Sequence, residues 1–171
     1  MNYIFSFVKV LDVKTPTRGT KKSAGIDFFI PEDTRQFREL FIEYNNPKNA
    51  FLNMSGINIY PHKDVLIPSG IHYKLPENTM LLLGNKSGIA TKYKVIHGAH
   101  IGDEDYQGHL FIHLINTSDT VVTLSFGQKV IQGIIVPVYY TDIIEYSNKQ
   151  ELYIEHESER KEGGFGSTGI Y

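Results

Sequence analysis

The chain has no cysteine, which excludes disulfides, thiolate metal sites and a cysteine nucleophile together. That absence agrees with a reducing compartment, so a cytoplasmic location is expected. No apolar run approaches the ~18 residues that a membrane span needs. The opening stretch from Met1 to Val10 has no basic segment ahead of an apolar one, so a secretory signal is not expected. Neither charge sign dominates: 17 Lys and Arg face 19 Asp and Glu, for a formal net charge of -2. Non-specific nucleic-acid binding therefore has no overall positive field to rest on. Basic residues cluster only locally, at Lys14 to Lys22 and Lys86 to Lys94, which suits a small anion better than a duplex. No internal repeat is present.

What remains is an ordinary globular composition, 41% hydrophobic and 21% charged over 171 residues, enough for one domain with a real core. Tyr3 to Leu11 alternates as a first strand, and Ala24 to Ile30 is a short apolar strand carrying Asp27, an acid poorly suited to a strand. Asp33 to Tyr44 places Phe37, Leu40, Phe41 and Tyr44 at helical spacing and is the only convincing helix. Its aromatic stripe is read as core packing, with a partner-binding helix as the alternative. Asn45 to Ser55 reads as loop. From Ile57 onward short strands recur between turns: Ile57 to Tyr60, Asp64 to Ile67, Ile71 to Lys74, Met80 to Gly84, Leu110 to Asn116, Thr120 to Leu124 and Val130 to Tyr140. This spacing predicts an all-β barrel or sandwich. The last strand is almost continuously apolar, which predicts burial on both faces, one of them closed by another subunit.

Chemistry concentrates in four places. His97 to Gly108 is a glycine-punctuated turn holding Asp103, Glu104, Asp105 and Tyr106 ahead of a strand. Crowded carboxylates repel one another, a cost tolerated where one acts on a water or faces a cation. Asn85-Lys86-Ser87-Gly88 offers a cation, a hydroxyl and close backbone approach, a combination that can hold phosphate oxygens. It is not a P-loop, because G-x-x-x-x-G-K-[ST] is missing. Gly164 to Gly169 satisfies G-x-G-x-x-G, but no strand and helix frame it. A charged tail gives way there to glycines around Phe165 after Arg160, a pattern able to close over a planar phosphorylated ligand. His97, His100, His109 and His113 lack H-E-x-x-H spacing and cysteine partners, so they read as solvent-facing rather than as a transition-metal site.

Five stretches, in order, resemble the homotrimeric dUTP diphosphatases (dUTPases). They are Ala24-Gly-Ile-Asp27, Asn85-Lys-Ser-Gly-Ile-Ala90, Gly98 to Gly108, Phe126-Gly-Gln-Lys-Val-Ile-Gln132 and Arg160 to Gly169. The resemblance spans most of the chain except about 31–63, where the helix looks like an insertion. It implies a distorted β-barrel or jelly-roll-like protomer over 1–154, with a C-terminal arm, 155–171, closing the site of a neighbouring subunit. It further implies hydrolysis of dUTP to dUMP and pyrophosphate. Asp103 matches the acid that activates water, and Tyr106 the ring under the deoxyribose. Lys86, Ser87, Gly88, Gly98, Gln132, Arg160, Phe165, Gly166 and Ser167 match substrate contacts. Asp27 matches the acid near Mg²⁺, acting through water.

Some positions depart from the family pattern. Lys86 replaces the usual arginine, reducing a bidentate contact to a point charge. Lys161 replaces a glycine, while His100 and Gly102 replace a glycine and an isoleucine in the base-reading hairpin. Another pyrimidine is therefore an open alternative, as is a dCTP deaminase of the same fold, though His113 stands where that enzyme has a glutamate. A dUTP-binding regulator using the inserted helix is the non-enzymatic alternative. Neither nucleic acid nor membrane is an expected partner.

Overall fold

The computed structural model describes residues 4–154 together with Ser158 and Gly163. Thirteen strands lie among them: β1 (Ser6–Lys9), β2 (Thr17–Arg18), β3 (Ile26–Phe29), β4 (Ala50–Leu52), β5 (Gly56–Ile59), β6 (Asp64–Pro68), β7 (Ile71–Lys74), β8 (Thr79–Asn85), β9 (Val95–His97), β10 (Ile101–Gly102), β11 (Phe111–Asn116), β12 (Val122–Ser125) and β13 (Lys129–Pro137). The helices are α1 (Arg35–Tyr44), α2 (Ser87–Tyr93) and α3 (Lys149–Leu152). The all-β expectation holds. The ladders run β1-β7, β10-β8-β13-β3-β2, β6-β11-β9 and β12-β5-β4, so among the described residues the strands divide into four sheets and do not close one continuous barrel.

The alternation seen in the sequence becomes one buried and one wetter face. In β8 Thr79, Leu81 and Leu83 point inward, and in β11 Ile112, Leu114 and Asn116 do. Asn116 is the polar member of the β11 set, and its side-chain amide donates to the carbonyls of Ile59, Tyr60 and Thr120 at 2.8 to 3.1 Å. A buried amide satisfied in this way avoids the desolvation penalty of an unpaired one.

The stretch read as an insertion is woven into this core. Thr34 caps α1 by accepting from the Phe37 amide, and Asp33 pairs with Arg38 at 2.6 and 2.7 Å. Phe37 and Phe41 are buried, and Phe37 meets Phe126 edge-on at 6.0 Å. Of the predicted stripe, Leu40 is half-buried and Tyr44 is exposed but rests on Phe111, centroids 4.7 Å apart. At the end of α1 the Asn45 side chain exchanges two 2.8 Å hydrogen bonds with the Leu66 backbone, replacing a missing ladder partner. Phe37→Ala is therefore expected to cost about 3–5 kcal/mol, read from urea midpoints; a loss within error of zero would mean that α1 is an appendage.

Two expectations need correction. Helices α2 and α3 join the single predicted one, because Ser87–Tyr93 is too short for a periodicity to show. Ala50–Leu52, read as loop, is strand β4 paired with β5. In β13 Val130 and Ile131 are buried while Ile134 is 37% exposed, so part of the apolar run is open on the single chain.

The chain divides after Tyr139. In the second unit Asn148 caps α3 by accepting from the Glu151 amide at 2.9 Å, and Ile143, Ile144 and Ile154 are largely exposed. The candidate residues Arg160, Phe165, Gly166 and Ser167 lie outside the described residues.

Candidate active site

Antiparallel register brings separate sequence stretches side by side. On β13, Gln132 stands opposite Asp27 of β3 on one side and Gly84 of β8 on the other. The Gln132 amide donates to the Asn85 carbonyl at 2.9 Å. A Cβ on Gly25 would lie 2.9 Å from Gln132 Cβ, closer than real Cβ contacts come, so the backbone passes tightly beside Gln132 there. By contrast, a Cβ on Gly84 or Gly88 would meet nothing within 4 Å. Open space therefore lies over the backbone beside Gln132 and Lys86.

Asp27 is 4% exposed and held between two ammonium groups, Lys86 Nζ at 2.5 Å and Lys129 Nζ at 3.2 Å. Burial opposes its ionisation, but the hydrogen bonds and charges of both lysines outweigh that and hold the carboxyl below its ordinary value of 3.8. One carboxylate against two ammoniums leaves the cluster with net positive charge, favourable to a phosphate. Lys86 ends in extended backbone and Ser87 opens α2 with no side-chain cap, so the first amides of that turn are uncapped donors. Lys129 carries no distinguishing signal in the sequence; only its place one strand over from Asp27 reveals it.

The acidic turn follows β10, whose Gly102 pairs with Leu81 of β8. The site thus has two parts on one strand, the Gln132 group at Gly84 and the Asp103 group at Leu81, roughly 10 Å apart along β8. Asp103 is exposed, its main-chain carbonyl accepting from Tyr73 at 3.3 Å. The Tyr106 hydroxyl donates to the His109 carbonyl at 2.9 Å, fixing a ring that is 43% exposed. Tyr73, Leu83, Gly102, Asp103, Tyr106 and Leu110 line a pocket of about 230 Å³. Gly98 lies in the same hairpin, where a Cβ would collide with His113 Nδ1.

Of the four histidines expected to face solvent, His100 is exposed and the other three are buried or half-buried. His97 is 2% exposed, and its Nε2 has no hydrogen-bond partner among the described residues. Burial, then the neighbouring His100 and His113, lowers it to about 4. His109 falls to about 4 through burial and then His72, and its Nε2 accepts from the Gly70 amide at 2.7 Å. His113 is bound to Asp64 at 3.1 Å. No three His, Asp or Glu side chains converge as a metal cage among the described residues.

Both depressed histidines are neutral in the fold but gain a proton near 6.5 when unfolded, so their stabilisation is full above that value. It drains as pH falls through about 4. His97→Gln is expected to flatten the fall in Tm between these pH values, and adding His109→Gln to flatten it further. Identical pH profiles for wild type and the double variant would overturn the assignment.

Fold and site define an all-β protein with a cationic strand cluster beside a carboxylate-bearing turn, an arrangement suited to phosphate esters. The dUTPase family profile matches residues 42–169. A deoxyuridine 5'-triphosphate nucleotidohydrolase of Hydrogenobaculum sp. is 30% identical over 161 residues, covering 93% of this chain and 92% of the relative. That of Arabidopsis thaliana is 30% identical over 168 residues, covering 97% and 84%. Among solved structures, the Staphylococcus bacteriophage 80alpha dUTPase with dUpNHpp superposes with TM-score 0.72 at 20% identity, covering 98% and 99% of the two chains. A mutant dUTPase from phage phi11 of S. aureus, described with a structural Mg(II) ion, gives 0.62 at 16% identity, covering 86% and 99%. The chain belongs to the dUTPase family.

Proposed function

We propose that this chain hydrolyses dUTP to dUMP and pyrophosphate. The observation that carries the reading is the pinned turn, with Asp103 and Tyr106 on one pocket beside a separate cationic cluster on the same strand. Asp103 takes a proton from a water whose oxygen bonds to the α-phosphorus as the bond to the pyrophosphate oxygen breaks. Such a carboxylate must lie within hydrogen-bond reach of that water. The Tyr106 ring lies under the deoxyribose and leaves no room for a 2′-hydroxyl. Lys86, Ser87, Gly88 and Gln132 take phosphate oxygens, and the hairpin around Gly98 reads the base. Arg160, Phe165, Gly166 and Ser167 on the C-terminal arm close the site, in a trimer whose neighbouring subunit lends the arm.

Within one chain Asp27 does not itself fit a magnesium ion: it is ionised but 4% exposed, and each of its oxygens is engaged by a lysine ammonium, so the ion would be held by the triphosphate and water. Mg²⁺ dehydrates reluctantly and binds phosphates well, and when bound it neutralises charge on the triphosphate.

Pyrophosphate release measured across dUTP, dCTP, dTTP and UTP tests the proposal. Preference for dUTP is the expected result. Equal turnover of UTP would remove the role given to Tyr106, and turnover confined to dCTP would transfer the chain to another substrate. The deaminase alternative loses support, since the glutamate it requires is replaced by His113, which is engaged with Asp64.

A further inference from the structure

Tyr73 is a buried side chain that the proposed chemistry does not use. It sits on β7, 7% exposed, its ring stacked on Phe5 at 6.3 Å and tilted toward Tyr106 at 6.3 Å. Its hydroxyl reaches the Asp103 carbonyl at 3.3 Å. That hydroxyl occupies the room that a side chain on residue 102 would take. A Cβ built on Gly102 would lie 2.6 Å from Tyr73 Oη, 3.2 Å from Leu81 Cβ and 3.3 Å from Tyr73 Cζ. A methyl there would have to displace the tyrosine hydroxyl or the turn itself. Gly102 is tied to Leu81 by strand pairing, and the tyrosine ring is held between Phe5 and Tyr106. Burial, then the charges of Asp103, Tyr106 and Asp105, pushes the Tyr73 hydroxyl up to about 12. It therefore stays protonated, a donor toward the Asp103 carbonyl, at any pH where the enzyme works.

We propose that Tyr73 and Gly102 form a matched pair that sets the position of Asp103, with Tyr73 as a positioning residue whose hydroxyl fills the place of the missing side chain and holds the backbone of the catalytic turn. The inference rests on the reading of Asp103 as the base and adds to it a device that aims the base. A carboxylate displaced by about 1 Å loses rate on the order of a hundredfold while substrate binding changes little. The pair therefore acts on kcat more than on KM.

Three variants of the full-length protein test this, with dUTP turnover and Tm measured for each. Tyr73→Phe removes only the hydroxyl. It is expected to lower kcat about tenfold, with KM within about twofold and Tm nearly unchanged. Gly102→Ala is expected to lower kcat about a hundredfold, because the new methyl meets Tyr73 Oη. The double variant is expected to regain about tenfold over Gly102→Ala, since the nearest tyrosine-ring atom is then Cζ at 3.3 Å. Wild-type kcat in Tyr73→Phe overturns the inference, as does a double variant no better than Gly102→Ala. A parallel loss of kcat, KM and Tm in Tyr73→Phe also overturns it, because ordinary packing would behave that way. Should Gly102→Ala not fold, Tyr73→Phe alone decides. An Asp103→Asn protein that still turns over would defeat the reading of the base instead. An inactive Asp103→Asn beside a fully active Tyr73→Phe would defeat this inference alone.

Discussion

Asp103→Asn is expected to lower pyrophosphate release from dUTP by at least about a thousandfold, within the range a positioned general base supplies. The substitution keeps the shape of the side chain and removes its ability to take a proton. The turn itself is held by main-chain and tyrosine contacts, from Tyr73 to the Asp103 carbonyl and from Tyr106 to the His109 carbonyl, none of which uses the carboxylate. The phosphate-binding group, Lys86 and Gln132 at the far end of β8, is also untouched. Calorimetric titration with a non-hydrolysable dUTP analogue should therefore give an affinity within about threefold of wild type, a difference below about 0.7 kcal/mol. Retained turnover would sink the assignment of the base. Loss of binding together with turnover would mean that the carboxylate contributes to the ground state and not to proton transfer alone.

Removal of every residue after Glu157 is expected to cut turnover about a hundredfold and leave Tm within a few degrees. From Ser158 onward the sequence offers Phe165, Ile170 and Tyr171 as its only large apolar side chains among charges and glycines, too little to join a core. Arg160 and Phe165, in contrast, are the kinds of group that grip a phosphate and cover a base. The same truncation should raise KM, since ground-state contacts are removed as well. A shortened protein at full rate would show that the arm does not close the site.

The legible part of the site is chemical. Asp27, Asn85 to Gly88, the Gly98 to Gly108 turn and Gln132 each stand out by residue type and spacing. Register then places Asp27, Gln132 and Gly84 on three adjacent strands. Other participants leave no local trace. Lys129 is an exposed lysine at a strand end until β13 pairs with β3, when it becomes the second cation on Asp27. Tyr73 alternates like any β residue until its hydroxyl reaches the space above Gly102. His97 and His109 read as polar residues on a wet face, and both are buried enough to be neutral. Helix α2 escapes detection because a seven-residue helix cannot display an amphipathic period.

By itself the sequence determined the all-β class, the position of most strands and the identity of the reactive groups. These depend on short-range alternation, on turn chemistry and on which side chains can carry a proton or hold a phosphate. Tertiary structure alone decided which groups share a charge, which histidines lose theirs, and which glycine leaves room for a tyrosine. Those properties belong to pairs of residues far apart in the chain, and only strand register and burial bring them within reach of one another.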